Sequence, residues 1–310
     1  MFNLTRSYRK HALSIIHKKI SSALRLLGGI PFRKGSVIAG RYRIGRWLGS
    51  GSYGVAYLAE DLQHGRDCVV KRVWPLRGGS SRADLIYSME TDMLRRFSHP
   101  AFPVVYESFL WRGQRCFAME FMPGSSLDAL LFRDERKFTE SQSLRIIRQL
   151  LDLVIILQGE GIIHRDISIA NVLLDGDTVK LIDFGLAREI PASGDLLAEP
   201  PAWEELDALD DDPSEKKFRR ALHVSSDFYA IGHLLLFLLY STYAMEDAGP
   251  DSSAAIAESD PSRGWGHELE LHPATKKLLR RLLMTEQPFL NAEEICTCVD
   301  DILPLLPAAD

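Results

Sequence analysis

Along the 310 residues, apolar positions follow two rhythms, and the change of rhythm divides the chain. Over residues 41–73, aromatic and β-branched residues gather in short runs: Tyr42, Ile44 and Trp47; Val55 and Tyr57; Cys68, Val69 and Val70. Gly49, Gly51, Gly54 and Gly65 punctuate them, which predicts strand, glycine turn, strand, turn, strand. Over residues 81–97 the period becomes four. Leu85, Met89, Met93 and Phe97 predict a helix with one apolar stripe, ended by His99-Pro100. Two more strands are expected near 104–109 and 116–121.

The later chain reads as helical. Thr139 with Gln142 three residues on predicts a capping box, ahead of a helix carrying Leu144, Ile147, Leu151, Val154 and Leu157. Ser225 or Ser226 is expected to cap a very apolar helix running to Tyr240, and residues 274–284 and 292–302 predict two further helices. The pattern is α+β: a small antiparallel sheet lobe with one helix, then a larger, mainly helical lobe, with ligand sites expected in the cleft between them. The expected boundaries are a basic extension at 1–35, the first lobe at 36–122 and the second at 123–310. The best candidate for a membrane span, residues 230–240, is 11 residues long and contains His233. A spanning helix needs about 20 apolar residues, so a buried core helix is expected and no transmembrane helix. No secretory signal is visible either.

Composition supports a folded body, with 46% hydrophobic and 25% charged residues. The net charge of -5 hides a split. Residues 1–35 hold eight basic side chains and no acidic one, so residues 36–310 hold 29 basic against 42 acidic. Within the basic segment, Leu13, Ile16, Ile20, Leu24 and Leu27 recur at helical spacing, with Lys18, Ser21 and Arg25 largely on the other side. Such a helix suits an anionic membrane surface, a nucleic acid, docking on the acidic body or an organellar address. The sequence leaves that choice open. Cys68, Cys116, Cys296 and Cys298 are too few for a disulfide framework and have no zinc-ligand spacing. They point to a reducing setting, cytoplasmic and peripheral at the membrane if the basic segment binds lipid.

Chemistry concentrates in a few motifs. Gly49-Ser50-Gly51-Ser52-Tyr53-Gly54 lies between two predicted strands, where glycines let backbone N–H groups approach phosphate oxygens. No helix follows it, which counts against a dinucleotide-binding reading. Lys71 follows an apolar triplet on a strand, and Glu90 lies in the next helix, where a carboxylate can hold the lysine charged and pointed. The decisive stretch is His164-Arg165-Asp166-Ile167-Ser168-Ile169-Ala170-Asn171, with Asp183-Phe184-Gly185 twelve residues after Asn171. Asp166 can accept a hydroxyl proton, and Asn171 and Asp183 offer the hard oxygens that magnesium prefers.

In this order and spacing the chain resembles a eukaryotic-type protein kinase across about residues 40–305. The resemblance implies the two-lobed kinase fold, ATP and magnesium as cofactors, and transfer of the γ-phosphoryl group to a protein Ser or Thr hydroxyl. It implies that Gly49, Gly51 and Gly54 cover the phosphates and that Lys71, paired to Glu90, binds them. Met119 becomes the gatekeeper, Glu120 and Met122 the hinge that bonds adenine, and Leu173 the floor beneath the base. Asp166 becomes the catalytic base, Arg165 the reader of a phosphate on the activation segment, and Asn171 and Asp183 the metal ligands. Asp227 becomes the buried brace of the catalytic loop. A pseudokinase scaffold and a small-molecule kinase are the rival readings; the arginine of His-Arg-Asp and the Asp-Phe-Gly motif count against the second.

Several positions depart from the family pattern. Ala56 stands where a valine usually roofs the adenine. Ser168 and Ala170 replace the basic residue expected near the catalytic aspartate, which predicts low but real activity. Residues 195–215 carry nine acidic side chains and no basic ones, with Glu205 and Glu215 competing as the end of the activation segment. An acidic side chain is expected there to stand in for an activating phosphate. The C-terminal arginine that normally pairs with that glutamate is missing from the stretch Glu286 to Ala292.

Overall fold

The computed structural model describes residues 31–50, 54–73, 80–190, 221–242, 261–284 and 286–307. The basic extension through residue 30, Gly51, and the acidic segment at 191–220 lie outside them. The described residues fall into two compact units: one runs to Pro123 and includes Phe184–Ala187, and the other holds Gly124–Asp183 and the residues from Arg188 on.

The first unit is built on an antiparallel sheet. Its six described strands are β1 (Val37–Ile38), β2 (Tyr42–Ser50), β3 (Gly54–Asp61), β4 (Arg66–Val73), β5 (Val105–Trp111) and β6 (Gln114–Glu120). They lie in the order β1-β2-β3-β4-β6-β5. Alternation sends Tyr42, Ile44, Val55, Tyr57, Ala59, Cys68, Val70 and Ala118 into one apolar cluster. Lys71 pairs across the ladders with Ala56 and Phe117 and so shares the opposite face. Helix α1 (Ser80–Arg95) supplies Glu90 to that lysine. Its apolar stripe is rotated from the one expected: Leu85 is exposed, while Ile86, Glu90, Met93 and Leu94 are buried. The ion pair decides this, because the face that carries Glu90 must be the face that packs.

One end of the sheet is tied by charge. Asp61, fully buried, accepts both arms of a fork from Arg41, 2.7 Å each, while Arg41 and the Tyr42 hydroxyl also donate to Glu107. The guanidinium holds the Asp61 carboxyl far below the usual carboxylate range.

The second unit is mainly helical. Helix α2 (Leu127–Phe132) is capped by Ser126, and α3 (Glu140–Gly159) begins with the expected capping box. Gln142 N–H donates to Thr139 Oγ1, and Thr139 N–H to Gln142 Oε1. Helix α4 (Ser225–Leu239) is buried along most of its length. Its cap differs from the expectation: both serines lie inside the helix, Val224 is the N-cap, and the His223 ring accepts the Ser225 N–H instead. Helices α5 (Pro261–Glu268), α6 (Pro273–Leu282) and α7 (Ala292–Ile302) complete the described set. No helix among the described residues is long and apolar enough to cross a membrane. All four cysteines are free thiols.

Where the family's C-terminal arginine is missing, the chain buries an aromatic ring. Phe289 is 3% exposed, and the Arg281 guanidinium lies 3.7 Å over its ring while bonding Glu294 and the Gln287 carbonyl. This cluster joins the end of α6 to the start of α7 through cation–π attraction and an ion pair.

Candidate active site

In the first unit, strand pairing places the glycine motif beside the lysine. Gly54 pairs with Val73, and Ala56 pairs with Lys71 and with Gly49. A methyl group on Gly54 would lie 2.6 Å from the Arg72 carbonyl oxygen, so the close approach of β4 alone demands glycine there. Lys71 Nζ donates to Glu90 Oε1 at 2.5 Å, with both side chains buried. A buried lysine keeps its charge only with such a partner. Met119 is buried in β6 opposite Val69, Glu120 ends the strand with its N–H on the Val104 carbonyl, and Met122 is buried just beyond.

Phe184 belongs to the same unit. Its ring centroid lies 5.8 Å from that of Phe97 and 5.6 Å from that of Phe102, edge-on to the latter. Phe97 is where α1 leaves its last turn, so the phenylalanine of Asp-Phe-Gly is anchored by the end of the helix that carries Glu90. Sequence reading assigned no role to this trio; its signal was Phe97 and Phe102 on either side of His99-Pro100.

In the second unit, strand β8 (Ile162–Ile163) leads into the His-Arg-Asp motif, and β9 (Val172–Asp175) leaves it toward β10 (Thr178–Leu181). Asp227, at the start of α4, accepts the N–H groups of His164 and Arg165 at 2.9 and 2.8 Å. Burial raises its pKa to about 6, opposed by those same two hydrogen bonds. Burial lowers the His164 imidazole to about 4, so the ring is neutral, and its Nδ1 accepts the Asp166 N–H. Asp227 therefore braces the backbone on which Arg165 and Asp166 stand. Arg165 has φ of 63° and Asp183 of 66°, the left-handed region where a side chain is strained. Both are held there by their surroundings, as residues poised for chemistry often are.

Asn171 connects the parts. Its Nδ2 donates to both the backbone oxygen and Oδ2 of Asp166, 2.9 Å each, and its carbonyl accepts the N–H of Ile182, the residue before Asp183. With its amide nitrogen so engaged, Asn171 has Oδ1 left as a hard oxygen. Asn171 Oδ1 and the Asp183 carboxylate are the kind of oxygens that could hold magnesium. Among the described residues no cluster of three or more His, Cys, Asp or Glu could hold a metal ion by itself. Leu173, in β9, is buried between Lys180 and Ser126. Ser168 contributes its carbonyl to the turn, accepting the N–H groups of Asn171 and Val172.

Residues 42–288 match the protein kinase domain family. A probable serine/threonine-protein kinase of Bacillus subtilis, YbdM, is 29% identical over 271 residues, 87% of this chain and 93% of that protein. Mitogen-activated protein kinase kinase kinase 3 of Arabidopsis thaliana is 31% identical over 160 residues, where the chain spans only 26% of the relative's length. Among solved structures, the PknI kinase domain of Mycobacterium tuberculosis shares the fold with a TM-score of 0.58 at 20% identity, covering 87% of this chain and 99% of that one. The motifs, the two-unit fold and the family match agree: this chain belongs to the protein kinase family, with serine/threonine kinases as its relatives.

Proposed function

We propose that the chain uses ATP and magnesium to phosphorylate protein Ser or Thr hydroxyls, with the roles of the family falling on its own matching residues. Lys71, kept charged by Glu90, binds the α- and β-phosphates, and the backbone at Gly49, Gly51 and Gly54 covers them. Met119, Glu120, Met122 and Leu173 surround adenine. Asn171 and Asp183 hold magnesium, which neutralises phosphate charge when bound. Asp166 orients the attacking hydroxyl and accepts its proton. Arg165 reads the activation segment. Residues 36–122 and 123–310 serve as the two lobes, and residues 1–35 as an extension that binds an anionic membrane surface.

The observation that carries the enzyme reading over a pseudokinase is the Asp166 carboxylate, present and held by Asn171 Nδ2 at 2.9 Å, alongside the Lys71–Glu90 contact. A nucleotide-binding scaffold would use the same lysine but has no need of a positioned proton acceptor. Ser168 supplies no cation, so the transferring phosphate draws on Lys71 and magnesium, and turnover is slow for the family.

The test is transfer of labelled γ-phosphate from ATP to generic protein substrates, followed by phosphoamino-acid analysis. The expected outcome is weak Ser/Thr labelling, reduced at least about 100-fold by Asp166→Asn and abolished by Lys71→Met or Asp183→Asn. Equal labelling by the wild type and Asp166→Asn refutes the enzyme reading and leaves the scaffold.

A further inference from the structure

We propose that Phe32 is a positioning residue for ATP binding, bracing Lys71 from the reverse face of the sheet. This rests on the kinase reading above and adds to it a part that lies outside the motifs.

The ladder between β3 and β4 sets the geometry. Ala56 pairs with Lys71, and on either side Val55 pairs with Arg72 and Tyr57 with Val70. Strand alternation points Lys71 toward Glu90 and turns Tyr57 and Arg72 to the other face. There, one ring meets both. The Phe32 ring lies 5.2 Å from that of Tyr57, and the Arg72 guanidinium lies 4.8 Å from the Phe32 centroid. The Phe32 N–H also donates to the Tyr57 hydroxyl at 3.2 Å. Phe32 thus spans the two strand residues that flank the Ala56–Lys71 pair.

Arg72 is 2% exposed, an unusual place for a guanidinium on a face otherwise lined by apolar residues. The face of an aromatic ring is a favourable surrounding for a desolvated cation, and Phe32 provides one. The residues after Phe32 hold it in place. Gly35 N–H donates to the Ile44 carbonyl at 2.7 Å, Ile44 N–H to the Ser36 carbonyl at 2.9 Å, and β1 then pairs with β2. Strand β2 leads directly into the glycine turn.

MgADP affinity is measured by calorimetry in the full chain for wild type, Phe32→Ala, Phe32→Leu, Phe32→Tyr and Arg72→Met, with KM for ATP, kcat and nucleotide-free melting alongside. Phe32→Ala is expected to weaken MgADP binding about fivefold, the scale of a buried cation–π contact, and to raise KM more than it lowers kcat. Phe32→Tyr restores affinity, and Arg72→Met reproduces the defect. If Phe32→Ala does not fold, Phe32→Leu keeps the bulk without a π face and is expected to bind more weakly. Wild-type affinity and KM in the folded alanine or leucine variant, even with a lowered melting temperature, show a merely structural role and overturn the proposal. A wild type that binds no MgADP overturns the kinase reading itself.

Discussion

Gly49 and Gly54 belong to one motif, yet the chain requires them for different reasons. A Cβ on Gly49 meets nothing within 4 Å, whereas on Gly54 it meets the Arg72 carbonyl at 2.6 Å. Backbone cannot retreat as a side chain can, so Gly54→Ala is expected to cost about 1–3 kcal/mol of stability with no nucleotide present. Gly49→Ala is expected to shift stability by no more than about 0.5 kcal/mol, its effect showing only in nucleotide affinity. Denaturant melts without nucleotide, followed by MgADP titration, separate the two. An equal loss of stability in both variants would refute the distinction. At this scale the candidate site was largely legible, because Lys71, Glu90, Asp166, Asn171 and Asp183 sit at spacings fixed by one fold. Phe32 and Arg72 were not legible. Their contact depends on which face of a strand a residue takes and on a partner 40 positions away, and neither leaves a local pattern.

Two buried groups meet at the catalytic loop, His164 within it and Asp227 bracing it from α4, and their titrations oppose each other. Asp227 has its folded pKa raised from 3.8 to about 6, so the stability it contributes is present at acid pH and lost as pH rises through 6. His164 has its folded pKa lowered from 6.5 to about 4, so it favours the folded state above 6.5 and loses that contribution as pH falls toward 4. The two slopes nearly cancel in one window. Removing either exposes the other: Asp227→Asn is expected to gain stability as pH rises from 4 to 6.5, and His164→Phe to lose it as pH rises from 4 to 6. Melting temperature against pH for the three proteins reads the slopes; parallel curves would refute the coupling. Sequence reading found the long elements, α1, α3, α4, α6 and α7, because their periods or caps extend over many residues. It passed over β1, β7 (Ser125–Ser126), β8 and β11 (Arg188–Glu189), whose two residues each hold no period. It also rotated the α1 stripe, since a strict period of four from Leu85 to Phe97 leaves out Ile86 and Glu90, although the sequence pairs Glu90 with Lys71 on other grounds.

Over the whole molecule, the two-part division was legible from the change of period, and the charge split from counting alone. Eight basic side chains in residues 1–35 against an acidic remainder are the charge on which the proposed membrane contact rests. Co-sedimentation with phosphatidylserine vesicles is expected for the full chain, weakening as salt rises, and to be lost for a chain starting at Ser36. Equal binding by both refutes the membrane role. The Phe289–Arg281–Glu294 cluster has a consequence on the same scale. In kinases with the usual arginine, the glutamate that ends the activation segment is also a structural tie, so that segment is constrained by folding as well as by regulation. Here Phe289, Arg281 and Glu294 tie the end of α6 to the start of α7 within residues 281–294. A tie between residues so near in sequence closes only a short loop, so it can form without waiting for any distant part of the chain.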